Sequence, residues 1–167
     1  GAPEVAEKEI RRAYAELGDD AFVAVRSSGT AEDMGEASFA GLYDSYLDVR
    51  GADAVVDAVR HCWASLWTAR CASYRHRLGL DDREAQVAVV VQRMVAAESA
   101  GVMFTANPLN GRTDEIVVNS TWGLGEAIAS GAVTPDEIVL DAATLRVKRA
   151  TTGSKTLRID RASDGPG

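Results

Sequence analysis

The chain has 167 residues, 46% hydrophobic and 26% charged, which suits a folded protein long enough to bury a core and excludes a disordered or fibrous composition. A net charge of -7 argues against a dedicated binder of nucleic acid or anionic membrane. It leaves room for a local basic site, which would be built from arginine because the lysines are confined to Lys8, Lys148 and Lys155.

In chain order, Pro3 to Leu17 reads as an amphipathic helix with Ile10, Ala13, Tyr14 and Leu17 on one face and Gly18 as its stop. Ala21 to Arg26 reads as a short apolar strand. It runs into a loop of small and hydroxyl residues that closes on Ser38-Phe39-Ala40-Gly41. Leu42 to Val49 resumes as a strand of period two, with Tyr43, Ser45, Leu47 and Val49 on one face. From Gly51 to about Leu78 the spacing of Val55, Val56, Val59, Trp63, Leu66, Trp67 and Tyr74 predicts one long helix, its two tryptophans packed in the core. Ala85 to Val95 is dense in valine and reads as a central strand buried on both faces. Val102 to Thr105 and Glu115 to Thr121, separated by the turn signals Asn107-Pro108 and Asn110-Gly111, predict an antiparallel hairpin. A short helix after Gly123-Leu124-Gly125-Glu126, ended by Gly131, precedes two more hairpin strands at Glu137 to Leu140 and Leu145 to Arg149, and Ser163 to Gly167 reads as a frayed tail. The expected class is α+β with mixed and antiparallel strands.

Metal and nucleophile chemistry find little support. Cys62 and Cys71, nine residues apart in one predicted helix, would stand about 13 Å apart along its axis and could not pair. With no CxxC, and with His61 and His76 spaced unlike ligands, no metal site is expected. Glu32, Asp33 and Glu36 read as a solvated acidic turn. Gly123 and Gly125 lack the third glycine of a dinucleotide fingerprint. They either permit a tight strand-to-helix turn or touch a phosphate directly.

Arg26 carries more. A guanidinium ending an apolar strand has to find an anion or water, and here it faces a loop whose small residues let backbone N–H groups approach phosphate oxygens. The competing explanation is an ion pair with Glu32 or Asp33. At the end of the valine-rich strand, Gln92, Arg93, Met94 and Val95 form a polar-then-apolar edge that can offer backbone groups to a flat heterocycle. No apolar run is long enough to cross a bilayer, and no signal peptide or disulfide framework is evident, so a reducing cytoplasm is expected.

Taken in order, Ala24-Val25-Arg26-Ser27-Ser28, Ala31-Glu32-Asp33, Ser38-Phe39-Ala40-Gly41, Ser65-Leu66-Trp67, Val91-Gln92-Arg93-Met94-Val95, Gly101 to Pro108 and Gly123-Leu124-Gly125-Glu126 resemble the nucleotide-binding domain shared by phosphoenolpyruvate synthase, pyruvate phosphate dikinase and rifampin phosphotransferase. The resemblance spans about Ala21 to Asp141 and implies an ATP-grasp fold, incomplete here, with residues 1–90 in a first partial subdomain and 91–167 in a second. It implies that Arg26 acts on the phosphates of ATP, that Gly41, Leu42, Tyr43, Asp44 and Ser45 form a flap above them, and that Gln92, Arg93, Met94 and Val95 recognise adenine. Magnesium is implied as well, with its ligands outside this chain. Complete relatives phosphorylate a histidine on a carrier domain that serves an acceptor such as pyruvate or a rifamycin.

Several departures bear on function. Gly29 stands where relatives commonly have alanine, Leu42-Tyr43 replaces a more polar pair, and Ser45 stands in for a common threonine. The family's glycine-rich loop with its lysine, its metal-binding glutamate strand and its Gln-x-Arg-Pro segment have no counterpart, since the glutamines are Gln86 and Gln92 and no Arg-Pro pair occurs. The expectation is therefore a fragment of an ATP-dependent phosphotransferase that transfers nothing alone. The alternative is a non-catalytic nucleotide-binding or interaction module. Expected partners are the carrier and acceptor domains of a longer protein, with self-association at uncovered sheet edges, and neither nucleic acid nor membrane.

Overall fold

A computed structural model describes residues 4–29, 43–81 and 85–161. The chain divides into two compact units, 1–94 and 95–167.

In the first unit, helix α1 (Glu4–Leu17) leads through Gly18, whose φ of 112° suits glycine alone, into strand β1 (Val23–Gly29). Strand β2 (Ser45–Val49) and strand β3 (Val87–Arg93) flank β1, both antiparallel, in the order β2-β1-β3. Helix α2 (Ala52–Ser65) packs across the sheet and against α1. Tyr14, Val23, Val25, Val55, Ala58, Val59 and Cys62 form the core there, with Ile10, Leu17, Tyr46, Val49, Val89 and Val91 packed around them. Val23, Val25 and Val55 are fully buried, which stabilises the unit by about 1.5–3 kcal/mol for each side chain. The helical face expected of Ile10, Tyr14 and Leu17 is present, while Ala13 is exposed.

Three expectations for this unit are corrected. The predicted long helix is two helices, α2 and α3 (Ala69–Arg77), broken at Leu66 to Thr68, where the Thr68 side chain accepts a hydrogen bond from Cys71 N–H at 3.4 Å and starts α3. The break turns Trp67 outward: it is 61% exposed with the Arg75 guanidinium 5.5 Å from its ring centroid, whereas Trp63 packs against the core as expected. Strand β3 is buried on one face only. Val87, Val89 and Val91 point toward the helices, while Ala88, Val90 and Gln92 are exposed. Strand β2 does not keep period two. Asp48 has φ 59°, the register to β1 shifts between Val23 and Val25, and the irregularity brings Tyr46 and Val49 to the same packed face.

In the second unit, strands β4 (Ser99–Phe104), β5 (Glu115–Trp122), β6 (Asp136–Asp141) and β7 (Val147–Thr151) make an antiparallel sheet in chain order, with helix α4 (Glu126–Ala129) between β5 and β6. The expected hairpin is β4–β5, in register from Ser99↔Trp122 to Phe104↔Val117. Its loop is held by Asn107: the amide Nδ2 donates to Glu115 Oε2 at 2.7 Å, and Oδ1 accepts from Leu109 N–H at 3.0 Å. Lys148 on β7 donates to the other Glu115 oxygen at 2.9 Å, so this buried carboxylate is paired on both sides. Within these units the fold is α+β, with packed helices and antiparallel ladders.

Candidate functional site

The ladder of the first sheet decides which side chains can act together, because residues directly opposite on antiparallel strands share a face. Arg26 lies opposite Val90 on β3 and Ser45 on β2, Ser28 lies opposite Ala88, and Ala24 lies opposite Gln92. Arg26, Ser28, Ser45, Val90 and Gln92 are therefore on the face away from α1 and α2, and all five are exposed. Arg26 makes no hydrogen bond or ion pair among the described residues. Glu32 and Asp33, its alternative partners, lie outside them, as do Gly41 and Leu42. A permanent cation with two hydroxyls, an amide and one apolar side chain beside it is a donor set suited to a phosphorylated ligand. Among the described residues no group of three or more histidine, cysteine or carboxylate side chains could hold a metal ion.

The other expected site residues are placed differently. The Tyr43 side chain is buried with Leu66 and Cys71. Asp44 is fixed through its backbone: its N–H donates to Ser65 Oγ at 3.3 Å, and its carbonyl accepts from Ser27 Oγ at 3.1 Å and Cys62 Sγ at 3.5 Å. Its carboxylate lies 3.7 Å from Arg70. Burial first, and the Asp44 charge second, push the Cys62 thiol up to about 11, so it stays protonated and is no nucleophile. Arg93 sits opposite Val23, on the sheet face that carries the helices, and its guanidinium donates to Leu17 O at the end of α1. That helix has no basic residue in its own last turn, so Arg93 supplies the positive charge its C-terminus favours. Met94 N–H donates to Phe22 O at 2.8 Å, and the exposed Val95 accepts from Ala97 N–H at 2.9 Å.

In the second unit, Gly123 has φ 73°, its N–H donates to Glu98 O at 2.9 Å, and Leu124 N–H donates to Ile159 O at 2.7 Å. These amides are used inside the unit, which favours the tight-turn explanation of the Gly-Leu-Gly-Glu segment over direct phosphate contact. Ser28 and Val90 were not singled out from the sequence as site residues. The signal that places them beside Arg26 is the β1–β3 register, which the reading of the valine run as buried on both faces did not provide.

Residues 2–167 match the family described as pyruvate phosphate dikinase, AMP/ATP-binding domain. The chain is 51% identical over 158 residues to the probable phosphoenolpyruvate synthase of Pyrococcus abyssi, covering 92% of this chain and 19% of that protein. It is 51% identical over 163 residues to the phosphoenolpyruvate synthase of Pyrococcus furiosus, covering 95% of this chain and 20% of the relative. It is 50% identical over 139 residues to the prodigiosin synthesizing transferase PigC of Serratia marcescens, covering 83% of this chain and 15% of the relative. The chain thus spans a fifth or less of the length of these relatives. With the match running over nearly all of its residues, the chain belongs to the pyruvate phosphate dikinase AMP/ATP-binding domain family, of ATP-grasp-like α+β fold.

Proposed function

We propose that this chain is the ATP-binding portion of a phosphoenolpyruvate synthase-like phosphotransferase, in which Arg26 binds the phosphates of ATP. The observation that carries the reading is the exposed Arg26 guanidinium, without a partner among the described residues, on one sheet face with Ser28, Ser45 and Gln92. Charge-assisted bonds from a guanidinium to phosphate oxygens stabilise the charge that builds as a phosphoryl group leaves. Gln92 to Val95 holds adenine in this reading. Met94 N–H is committed to Phe22 O, so that amide does not serve the base.

Tyr43 and Asp44 act in this reading through the backbone and packing that set Ser45, and Gly41 and Leu42 continue that segment. In the whole enzyme the phosphoryl group would pass from ATP to a histidine of a carrier domain and then to an acceptor such as pyruvate or a rifamycin. Magnesium, with ligands outside this chain, would shield the phosphate charge. Cys62 and Cys71, both buried and in no disulfide, fit a reducing cytoplasm. Uncovered strand edges are the surfaces through which the chain would meet other domains or a second copy.

Titration of the chain with Mg-ATP by calorimetry tests the reading. Arg26→Ala is expected to weaken binding about ten-fold or more, the effect of losing a charged hydrogen bond. Equal affinity in wild type and variant would remove Arg26 from the site.

A further inference from the structure

Gly29, the last residue of β1, is buried, and its φ is not in the left-handed region, so backbone conformation does not account for the glycine. Space does. A Cβ at this position would lie 2.5 Å from Tyr43 Cε2, 3.0 Å from Cζ and 3.1 Å from the hydroxyl oxygen. The ring has little freedom to withdraw, since it forms a buried cluster with Leu66 and Cys71 against which Tyr74, Leu80, Ala85 and Val87 pack. Val87 is also the β3 residue opposite Gly29, so the ring closes against the end of the same ladder that carries Arg26 and Val90.

The chain following Tyr43 leads directly to the candidate site. Asp44 is clamped by Ser65, Ser27 and Cys62, and Ser45 lies opposite Arg26. A displaced Tyr43 ring therefore moves the Ser45 backbone, or breaks the Asp44 clamp, within two residues. It leaves β3 and the Gln92 end of the sheet held by their own ladder from Val23↔Arg93 onward. The Arg26–Ser45 pairing and the Gln92 end of β3 are thus held by different contacts.

Building on the nucleotide reading above, we infer that Gly29 and Tyr43 are a matched pair of positioning residues that seats Ser45 against Arg26 and so tunes affinity for the phosphate end of a nucleotide polyphosphate, without acting on its base.

The test measures dissociation constants for Mg-ATP and for adenosine, with a thermal midpoint for each protein, in wild type, Gly29→Ala, Tyr43→Leu and the double variant. Gly29→Ala is expected to weaken Mg-ATP about ten-fold, the consequence of overpacking one methyl, with adenosine affinity unchanged. Tyr43→Leu alone, which vacates ring volume and creates no clash, is expected to show the same selective loss, and it carries the test if Gly29→Ala does not fold. In the double variant the added methyl enters the vacated volume, and Mg-ATP affinity should return to within about three-fold of wild type. A wild type that binds neither ligand would overturn the nucleotide reading itself. A wild type that binds both, with single variants that bind Mg-ATP normally or lose both ligands in parallel, would overturn the positioning role alone.

Discussion

Arg26 and Arg93 stand on neighbouring strands of one three-stranded sheet and serve opposite faces of it. Their identity says nothing about this division; parity does, because Arg93 lies opposite Val23 and Arg26 opposite Val90. Arg93 is tied to the last turn of α1, so Arg93→Ala is expected to lower stability by about 0.3–1 kcal/mol in urea denaturation, the range of a cation at a helix C-terminus. Cys62 gives a pH-dependent prediction. Burial, and then the Asp44 charge, push its folded thiol up to about 11 from the ordinary value of about 9. Between these values the unfolded chain has released a proton that the folded chain keeps, so stability falls as pH rises from about 9 to 11. Cys62→Ser should flatten that part of the stability-pH curve, and a curve identical to wild type would refute the assignment. Arg26 is conspicuous in the sequence as a cation at the end of an apolar run, but the strand continues past it to Gly29, so Arg26 lies within β1 on its exposed face. The burial of Tyr43 is not legible there, because its ring occupies the space left by the missing Cβ of Gly29 at the end of β1.

Elements were legible where periodicity was strong and illegible where one residue broke it. Strands β1 and β3 to β7 and helix α1 follow from apolar patterning and turn residues. The break between α2 and α3 falls in Ser65-Leu66-Trp67-Thr68, with neither glycine nor proline to mark it, and the Thr68 cap becomes visible only in its bond to Cys71. Thr68→Ala should therefore destabilise the first unit by about 1 kcal/mol, read as a lower denaturation midpoint with unchanged m-value. In β2 the irregularity at Asp48 was hidden because an aspartate tolerates positive φ without announcing it. Valine density misled in β3: it suggested burial on both faces, yet the exposed parity is the one that carries the candidate site.

At the scale of the whole molecule, the resemblance of ordered motifs pointed to the family, and residues 2–167 match it. What lies beyond the chain in its longer relatives could not be read from these residues. Edge strand β4 leaves Val102, Met103 and Phe104 38%, 62% and 38% exposed. Such an edge invites pairing, and the chain is expected to show concentration-dependent association by light scattering. A constant monomer mass over a hundred-fold dilution would refute this. The second unit should be the more acid-sensitive. Asp114 is held at about 2 by Arg112, and Glu115, Asp136 and Asp141 are held below their usual range, first by Asn107, Lys155 and Thr144 respectively. Depressed carboxyl pKa values give stability that is present at neutral pH and drains away as pH falls through the folded values, so its unfolding should begin below about pH 4. Asn107→Ala should raise the Glu115 titration midpoint observed by NMR. Finally, the turn at Gly123 is completed by Ile159, whose carbonyl receives the Leu124 N–H and whose backbone bridges Gly123. On a ribosome, the Gly-Leu-Gly-Glu turn would remain unfinished until Ile159 has emerged from the exit tunnel, so a motif made much earlier waits on this one residue to complete its turn.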